Sequence, residues 1–487
     1  MKVQTVKATG AEQHFEINET FFSTTDQKGL ITSGNKVFSR TSGYAFKELI
    51  GSAHNLIRHP DMPRCVFAML WDRAQQKLPF AGYVKNQAKN GNHYWVFALI
   101  EPLGEELLSI RIKPSCGILA SVDSLYQTLL AKEEDAIGNG QSPKQAIAQS
   151  KKALIAAIEE LGFPTYEAFS QHCLNQEIKS RDQLVSKRGL PLFPSTIDAK
   201  ASAASADTFE KVQTAYAHLG TVFSDLDTFL VMADEIRKGR NAVRVIADHF
   251  RLNALNANIA ATPLGAQGAT IETITQFLHT HAGNFSTNAG ILAKQANHTT
   301  LAVSEIVARL ASARIQMEML ISFTAEMASN DEVEIQKQLH KMASDLQAAF
   351  SSSIQQASLA VDTVRKTLPE LGRKTAELFK AIVSFNVAQI TGLMECARLA
   401  DPQHLTGMFT DLRQRIESAK TEISKSDKIV AELTKLADAT PPKISKVMSS
   451  LGDDRSESPE TSSQGTPQAM TLKSTEPSHR QANVLAI

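Results

Sequence analysis

The sequence predicts an α+β domain, an antiparallel sheet with flanking helices, followed by a mostly α-helical antiparallel coiled-coil hairpin and further helices. Three observations carry this. Residues 20–115 are dense in turn signals with short apolar runs between them. From about Ser121 the turn signals give way to long stretches with apolar residues at alternating steps of three and four. Two of these stretches are separated by a single Pro/Gly cluster, where the chain must reverse. At 487 residues the chain is also too long for one core.

The first domain is bounded at residues 20–120, after a flexible segment 1–19. Its turns fall at Asp26–Gly29, Ser33-Gly34-Asn35, Ser42-Gly43 and Asn90-Gly91-Asn92. The apolar runs Tyr94–Ile100 and Leu107–Ile112 read as strands, and Asn90-Gly91 sits where a two-residue hairpin turn would join two of them. Helices are expected between the second and third strands. Residues 121–198 form a helical connector. It includes a helix start at Ser142-Pro143, and the two prolines and glycine of Lys187–Pro194 end it as a non-helical linker.

The coiled-coil hairpin is bounded at 199–330. Its first seam runs Leu219, Val222, Leu226, Phe229, Ala233, Ile236, Val243, Ala247, Phe250, Ala254, Ala257, with Arg240 the one charged interruption. Its second runs Ala289, Leu292, Ala296, Thr299, Val303, Ile306, Leu310, Ala313, Met317, Leu320. Such spacing over about five heptads signals coiled-coil helices. Thr262–Gly268 reverses the chain. A parallel dimer of hairpins would bury both seams. Helices at roughly 331–367, 370–400 and 404–438 are punctuated by Pro369 and Pro402, giving a segment 331–440. Beyond Pro441-Pro442 the Ser/Thr/Pro-rich composition predicts a disordered tail, 441–487.

Charge is balanced, with 51 basic and 51 acidic residues, so no general attraction to nucleic acid or an anionic membrane is expected. Cys65, Cys116, Cys173 and Cys396 lack metal or redox spacing and read as reduced thiols. The N-terminus has no apolar signal core. The most apolar later window, Ala381–Ala400, is interrupted by Ser384, Asn386, Gln389, Thr391, Glu395 and Arg398, too often for a bilayer span. The expectation is a soluble cytoplasmic protein. No hydrolase, nucleotide-binding, metalloprotease or kinase motif occurs, so enzyme activity is not expected.

Phe22–Leu103 contains STTD, ITSGNKVFSRTSGY, HNLIRHPDMP and KNGNHYWV in that order. In order and spacing this resembles the flavin-binding PAS domain of bacterial aerotaxis receptors. The resemblance implies FAD held between sheet and helices, with Arg58, His59 and Asp61 required for binding. It implies polar pocket positions at Asn35 and Asn86, and Tyr94 and Trp95 on the adjoining strand. Where the family has tryptophan before Ser-Gly, this chain has Phe80, which keeps an aromatic but loses the indole N–H. The bland alternatives are that Arg58 caps a helix or pairs with Asp61, that His59 is a core histidine, and that Tyr94 or Trp95 is ordinary core. Haem ligation through His54, His59 or His93 and an empty scaffold pocket are the other readings.

Ile246–Ala261 resembles the descending tip of the signalling hairpin of methyl-accepting chemotaxis proteins. Asn253, Leu255, Asn256, Ala257, Ile259, Ala261, Gly265, Gly268 and Ile274 fit that pattern. Where the family carries charges around the turn, this chain has Ala260, Pro263 and Ala266. The resemblance implies chemotaxis array proteins (receptors, coupling protein, histidine kinase) as partners of the homodimer expected from the seams, and the missing charges imply that the chain does not activate the kinase by itself. A generic coiled coil is the alternative.

Overall fold

The computed structural model describes residues 6–197, 203–328, 333–399 and 403–452. Strands β1 (Thr20–Asp26) and β2 (Ile31–Gly34) form a hairpin, and α1 (Lys36–Ser42), α2 (Phe46–Leu49), a 3-10 turn (His54–Ile57) and α3 (Arg64–Gln75) follow. Then come β3 (Phe80–Gln87), β4 (His93–Leu103) and β5 (Glu106–Ile112), completing a five-stranded antiparallel sheet of order β2-β1-β5-β4-β3. The helices lie between the second and third strands, as the turn spacing predicts. The β3–β4 hairpin is wider than two residues: 88–92 connect the strands, with Gly91 at φ +89° donating to the Ala88 carbonyl.

Three helices pack beside the sheet: α4 (Ile118–Gly138), α5 (Pro143–Glu160) and α6 (Tyr166–Arg188). Ser142 caps α5 in a capping box with Gln145, with Pro143 at the first helical position. Two buried carboxylates fasten these helices down. Pro63, the N-cap of α3, has no side-chain acceptor, and Glu133 of α4 takes that role, accepting from Arg64 N (2.8 Å), Cys65 N (2.9 Å) and Ser150 Oγ (2.6 Å). Glu177 of α6 accepts from Tyr83 Oη (2.7 Å), Ser115 N (2.6 Å) and Cys116 N (3.0 Å), so it closes the β5–α4 junction.

The remaining helices are α7 (Ala203–Phe223), α8 (Leu226–Ala261), α9 (Ala269–Ala328), α10 (Val333–Cys396) and α11 (Gln403–Ser450), with a 3-10 turn Thr262–Gly268 reversing the chain between α8 and α9. Gly265 makes that reversal at φ +52°, ψ −137°, backbone that glycine adopts at no steric cost. Two compact units result. The helical unit takes residues 214–315 and 350–447; the sheet-bearing unit takes the N-terminal part, Gln316–Ala349 and 448–452.

In the helical unit Phe250 of α8 meets Phe285 of α9 and Phe385 of α10, with centroids 5.2 and 4.7 Å apart. Thr299 of α9 bonds Thr367 of α10, Arg365 of α10 pairs with Asp438 of α11, and Asp411 of α11 accepts from Asn253 of α8. Neighbouring helices run antiparallel, since one number rises as the other falls. Arg240–Asn297 and Phe250–Phe285 join α8 to α9, and Thr299–Thr367 and Phe285–Phe385 join α9 to α10. Arg365–Asp438 and Gly392–Phe409 join α10 to α11, and Glu235–Lys425 and Asn253–Asp411 join α8 to α11, so α8–α11 form an up-down-up-down four-helix bundle. The predicted seams are its core: Phe229, Val243, Phe250, Leu292 and Val303 are all buried. A single chain thus completes the bundle that the heptads alone suggested would need two copies.

Prolines end fewer helices than the sequence suggests. α10 continues through Pro369 and α11 through Pro441 and Pro442 to Ser450, so the segment from 441 begins as helix. An interior proline costs ~3 kcal/mol, and here it is flanked by buried stripes: Leu368, Leu371 and Leu378 in α10, Ala437, Ile444 and Val447 in α11. The expected break at Pro402 and the tail 453–487 lie outside the described residues.

Within the sheet-bearing unit, the sheet is covered on both faces. Successive β1 residues point to opposite sides: Ser23 faces the helices α1–α3, and Phe22 packs edge-on against Phe323 of α9 at 4.9 Å. On that second face Gln316 Nε2 donates to Glu101 Oε2 (2.5 Å), Arg181 of α6 pairs with Glu318 of α9 (2.5 Å), and Trp95 lies against Tyr126 of α4.

Candidate functional site

Between the sheet and the helices α1–α3 lies a cavity with an apolar lining. Val84, Ala98, Ile100 and Leu107 form its sheet side, and Phe67, Leu70 and Trp71 of α3 face them. Trp71 reaches in over Gly29, where a Cβ would stand 3.1 Å from the indole; φ +78° there also favours glycine.

Against this lining stand a few polar groups. Arg111, the one charge in the β5 run Leu107–Ile112, is 4% exposed. Its Nη1 donates to Ser23 Oγ (2.9 Å) and its Nη2 to His54 Nε2 (2.7 Å); among the described residues no carboxylate pairs with it. Burial lowers the guanidinium to about 10, so it stays cationic at neutral pH. Burial, and then the Arg111 charge, push His54 down to about 3. The imidazole is neutral and its Nε2 lone pair accepts from Arg111. Two buried polar atoms on the cavity wall, Asn86 Nδ2 and Ser109 Oγ, have no hydrogen-bond partner. A buried cation without an acid, together with two unsatisfied groups, is costly unless something polar and electron-rich meets them.

The His54 shift has a consequence. Below its ordinary value of 6.5 the unfolded chain takes up a proton that the folded chain refuses. Above 6.5 this group leaves stability unchanged. As pH falls from there toward 3 it removes up to ~1.4 kcal/mol per unit. Trp71 and Trp95, the only tryptophans, both lie in the sheet-bearing unit. Urea midpoints read by their fluorescence should drop between pH ~7 and ~5 more steeply than in His54→Asn; equal slopes would refute this.

Of the eight residues implied by the resemblance, Arg58 and Asn86 line the cavity. Arg58 lies over the Phe67 ring at 4.5 Å and donates to the Met62 carbonyl (2.9 Å). The structure places the others elsewhere. Asn35 is the N-cap of α1, accepting from Phe22 N and Phe38 N, both at 3.1 Å. His59 is buried, and its Nδ1 accepts from Asp61 N (3.1 Å). Asp61, half-exposed, pairs with Lys85 Nζ at 2.6 Å. Together His59 and Asp61 lash the Arg58–Met62 loop to β3, where His59 N donates to the Lys85 carbonyl and Arg58 bridges Asn86, and this sets Arg58 at the cavity. Phe80 stacks on Tyr166 of α6 at 5.5 Å, Tyr94 packs with Phe15 and Phe21, and Trp95 faces away. Trp71, Ser109 and Arg111 escaped the sequence reading. The signal for Arg111 was present, a lone charge inside an apolar strand run.

At the hairpin tip, Asn253 is turned inward, donating to Asp411 (2.7 Å), and Ala257 is buried, while Leu255 and Asn256 are exposed. Gly265 carries the reversal and Gly268 follows, with Leu264 Cβ 2.3 Å from where its own Cβ would stand. Among the described residues no cluster of three or more His, Cys, Asp or Glu could hold a metal, and no helix is long and apolar enough to cross a membrane.

Residues 31–109 match the family model of the PAS fold. Over 117 residues the chain is 43% identical to the aerotaxis receptor of Escherichia coli (strain K12), a stretch that is 23% of either protein. Over 81 residues it is 32% identical to the nitrogen fixation regulatory protein of Klebsiella pneumoniae, covering 17% of this chain and 16% of that one. The chain thus spans under a quarter of the length of these curated relatives, which are a receptor and a regulator rather than enzymes by name. The sheet at residues 20–112 is a PAS domain, and mostly helical structure follows it.

Proposed function

We propose that the PAS domain is a flavin-holding redox or oxygen sensor, and that the chain is a cytoplasmic transducer passing the sensor's state to its helical unit in chemotactic signalling. The observation that carries this reading is the buried Arg111 cation, with Asn86 Nδ2 and Ser109 Oγ unsatisfied beside it, in an otherwise apolar slot. That donor set suits a flat apolar ring with carbonyl and ring-nitrogen acceptors along one edge, as FAD has. When bound, FAD would supply reversible electron uptake with a change of charge or protonation at that edge.

The chain's own residues would hold and read it. Asn86 and Ser109 supply the wall groups, Arg58 the mouth, and Arg111 the fixed positive charge. Arg111 also holds Ser23, whose neighbour Phe22 packs on Phe323 of α9. A shift of the guanidinium would thus reach α9, which contributes to both units. The work is binding and relay, not catalysis. The array proteins remain the proposed partners, with the uncharged tip modulating the kinase rather than activating it alone.

The test is the visible spectrum of the purified full chain. Flavin absorbance is expected; a Soret band would assign haem, and a colourless protein an empty scaffold. Arg111→Met should lower flavin retention at least about tenfold, the value of one or two charge-assisted contacts. Asp61→Ala, outside the cavity, should keep most of it. Full retention in Arg111→Met would remove that residue from the site.

A further inference from the structure

The Ala381–Ala400 window, too polar to span a bilayer, is also too apolar for a solvated helix face. In α10 the bundle covers one side of it: Leu378, Ile382, Phe385 and Cys396 are buried. On the other side Phe379, Val383, Val387, Ile390 and Met394 are 41–62% exposed. From Val383 onward these follow steps of four, three and four, the spacing of a coiled-coil seam. No charged residue lies between Lys380 and Glu395. A surface helix ordinarily presents a polar outer face.

We infer that this face of α10 pairs with the same face of a second copy of the chain, antiparallel, about a two-fold axis between Val387 and Ile390. Antiparallel seam packing sets Val387 against the second copy's Ile390 and Val383 against its Met394. The two-fold returns the same contacts with the copies exchanged, which makes the face self-complementary. Ser384, Asn386 and Thr391 flank the seam without charge, so self-pairing brings no like charges together, and a strongly acidic or basic partner finds no complement there. Lys380, next along the seam, decides the orientation. Parallel pairing would set it against its own copy, whereas antiparallel pairing sets it against Ala397. α8 also exposes Val245, Leu252 and Ile259, but Arg244, Asp248 and Arg251 interleave with them and keep that face solvated. The pairing is independent of what the sensor cavity holds.

The paired stretch from Val383 to Met394 is ~18 Å of helix, smaller than a standard interface of ~800 Å² per partner, so a concentration-dependent dimer of micromolar class is expected. Sedimentation velocity of the full chain across that range should show a shift from monomer to dimer. Val387→Asp should stay monomeric throughout. Val387 is 60% exposed, so helical content and thermal midpoint should not change, and this separates lost pairing from lost folding. Spin labels at Lys380→Cys should lie ~25 Å or more apart in the antiparallel dimer, against ~10 Å in a parallel one. A native chain that stays monomeric, a dimer that survives Val387→Asp, or the short label distance would each overturn the inference. So would a monomer that binds lipid vesicles through Val387, which would give the face to a lipid surface.

Discussion

Phe250→Asp should destabilise the helical unit by ~4 kcal/mol or more, the loss of a large buried aromatic plus the burial of a carboxylate. Phe250 is 1% exposed, with its ring against Phe285 and Phe385. The Asn253–Asp411 bond lies one turn farther along α8. The substitution therefore strikes the point where α8, α9 and α10 meet. Heptad spacing alone would predict that it dissociates two copies. The structure predicts that it unfolds one, since the seam is covered within a single chain. Far-UV ellipticity during thermal denaturation should show a lowered helical transition at every protein concentration. Tryptophan fluorescence, confined to the sheet-bearing unit, should hardly move. A variant that keeps its helical midpoint and only shifts from dimer to monomer would restore the two-copy bundle.

Arg181→Ala should cost the sheet-bearing unit ~3–5 kcal/mol, the loss that follows when one partner of a buried ion pair is removed. The guanidinium and the Glu318 carboxylate are 1% and 2% exposed. Arg181 also donates to the carbonyls of Ile17 (3.1 Å) and Asn18 (3.3 Å), so one side chain joins α6, α9 and the segment entering β1. Urea unfolding followed by Trp71 and Trp95 should shift to clearly lower denaturant. The double variant Arg181→Met with Glu318→Leu should recover most of the loss, because the pair's Coulomb energy largely offsets its own desolvation. If Arg181→Ala alone leaves the midpoint in place, the pair does not hold α9 to the sensor.

Motif order and spacing were sufficient for the PAS domain, its helices between the second and third strands, and the two long heptad seams. These features are local: turn residues need particular backbone angles, and a seam repeats at the period of the helix that carries it. Arg58 and Asn86 came as pocket positions from the family resemblance alone, and both line the cavity, Arg58 from the loop before α3 and Asn86 from β3. What the seams pack against was not legible, because identical heptads fit a second copy or the chain's own α10 and α11, and only chain connectivity decides. Nor could the prolines be read correctly: Pro369, Pro441 and Pro442 stay helical because buried neighbours on distant helices outweigh a local cost. Asn35 illustrates the same limit, its polar side chain spent on capping α1 rather than on the cavity. Arg111 gathers its meaning only from residues far off in sequence, Ser23 and His54, which the sheet and the 3-10 turn bring around its buried side chain.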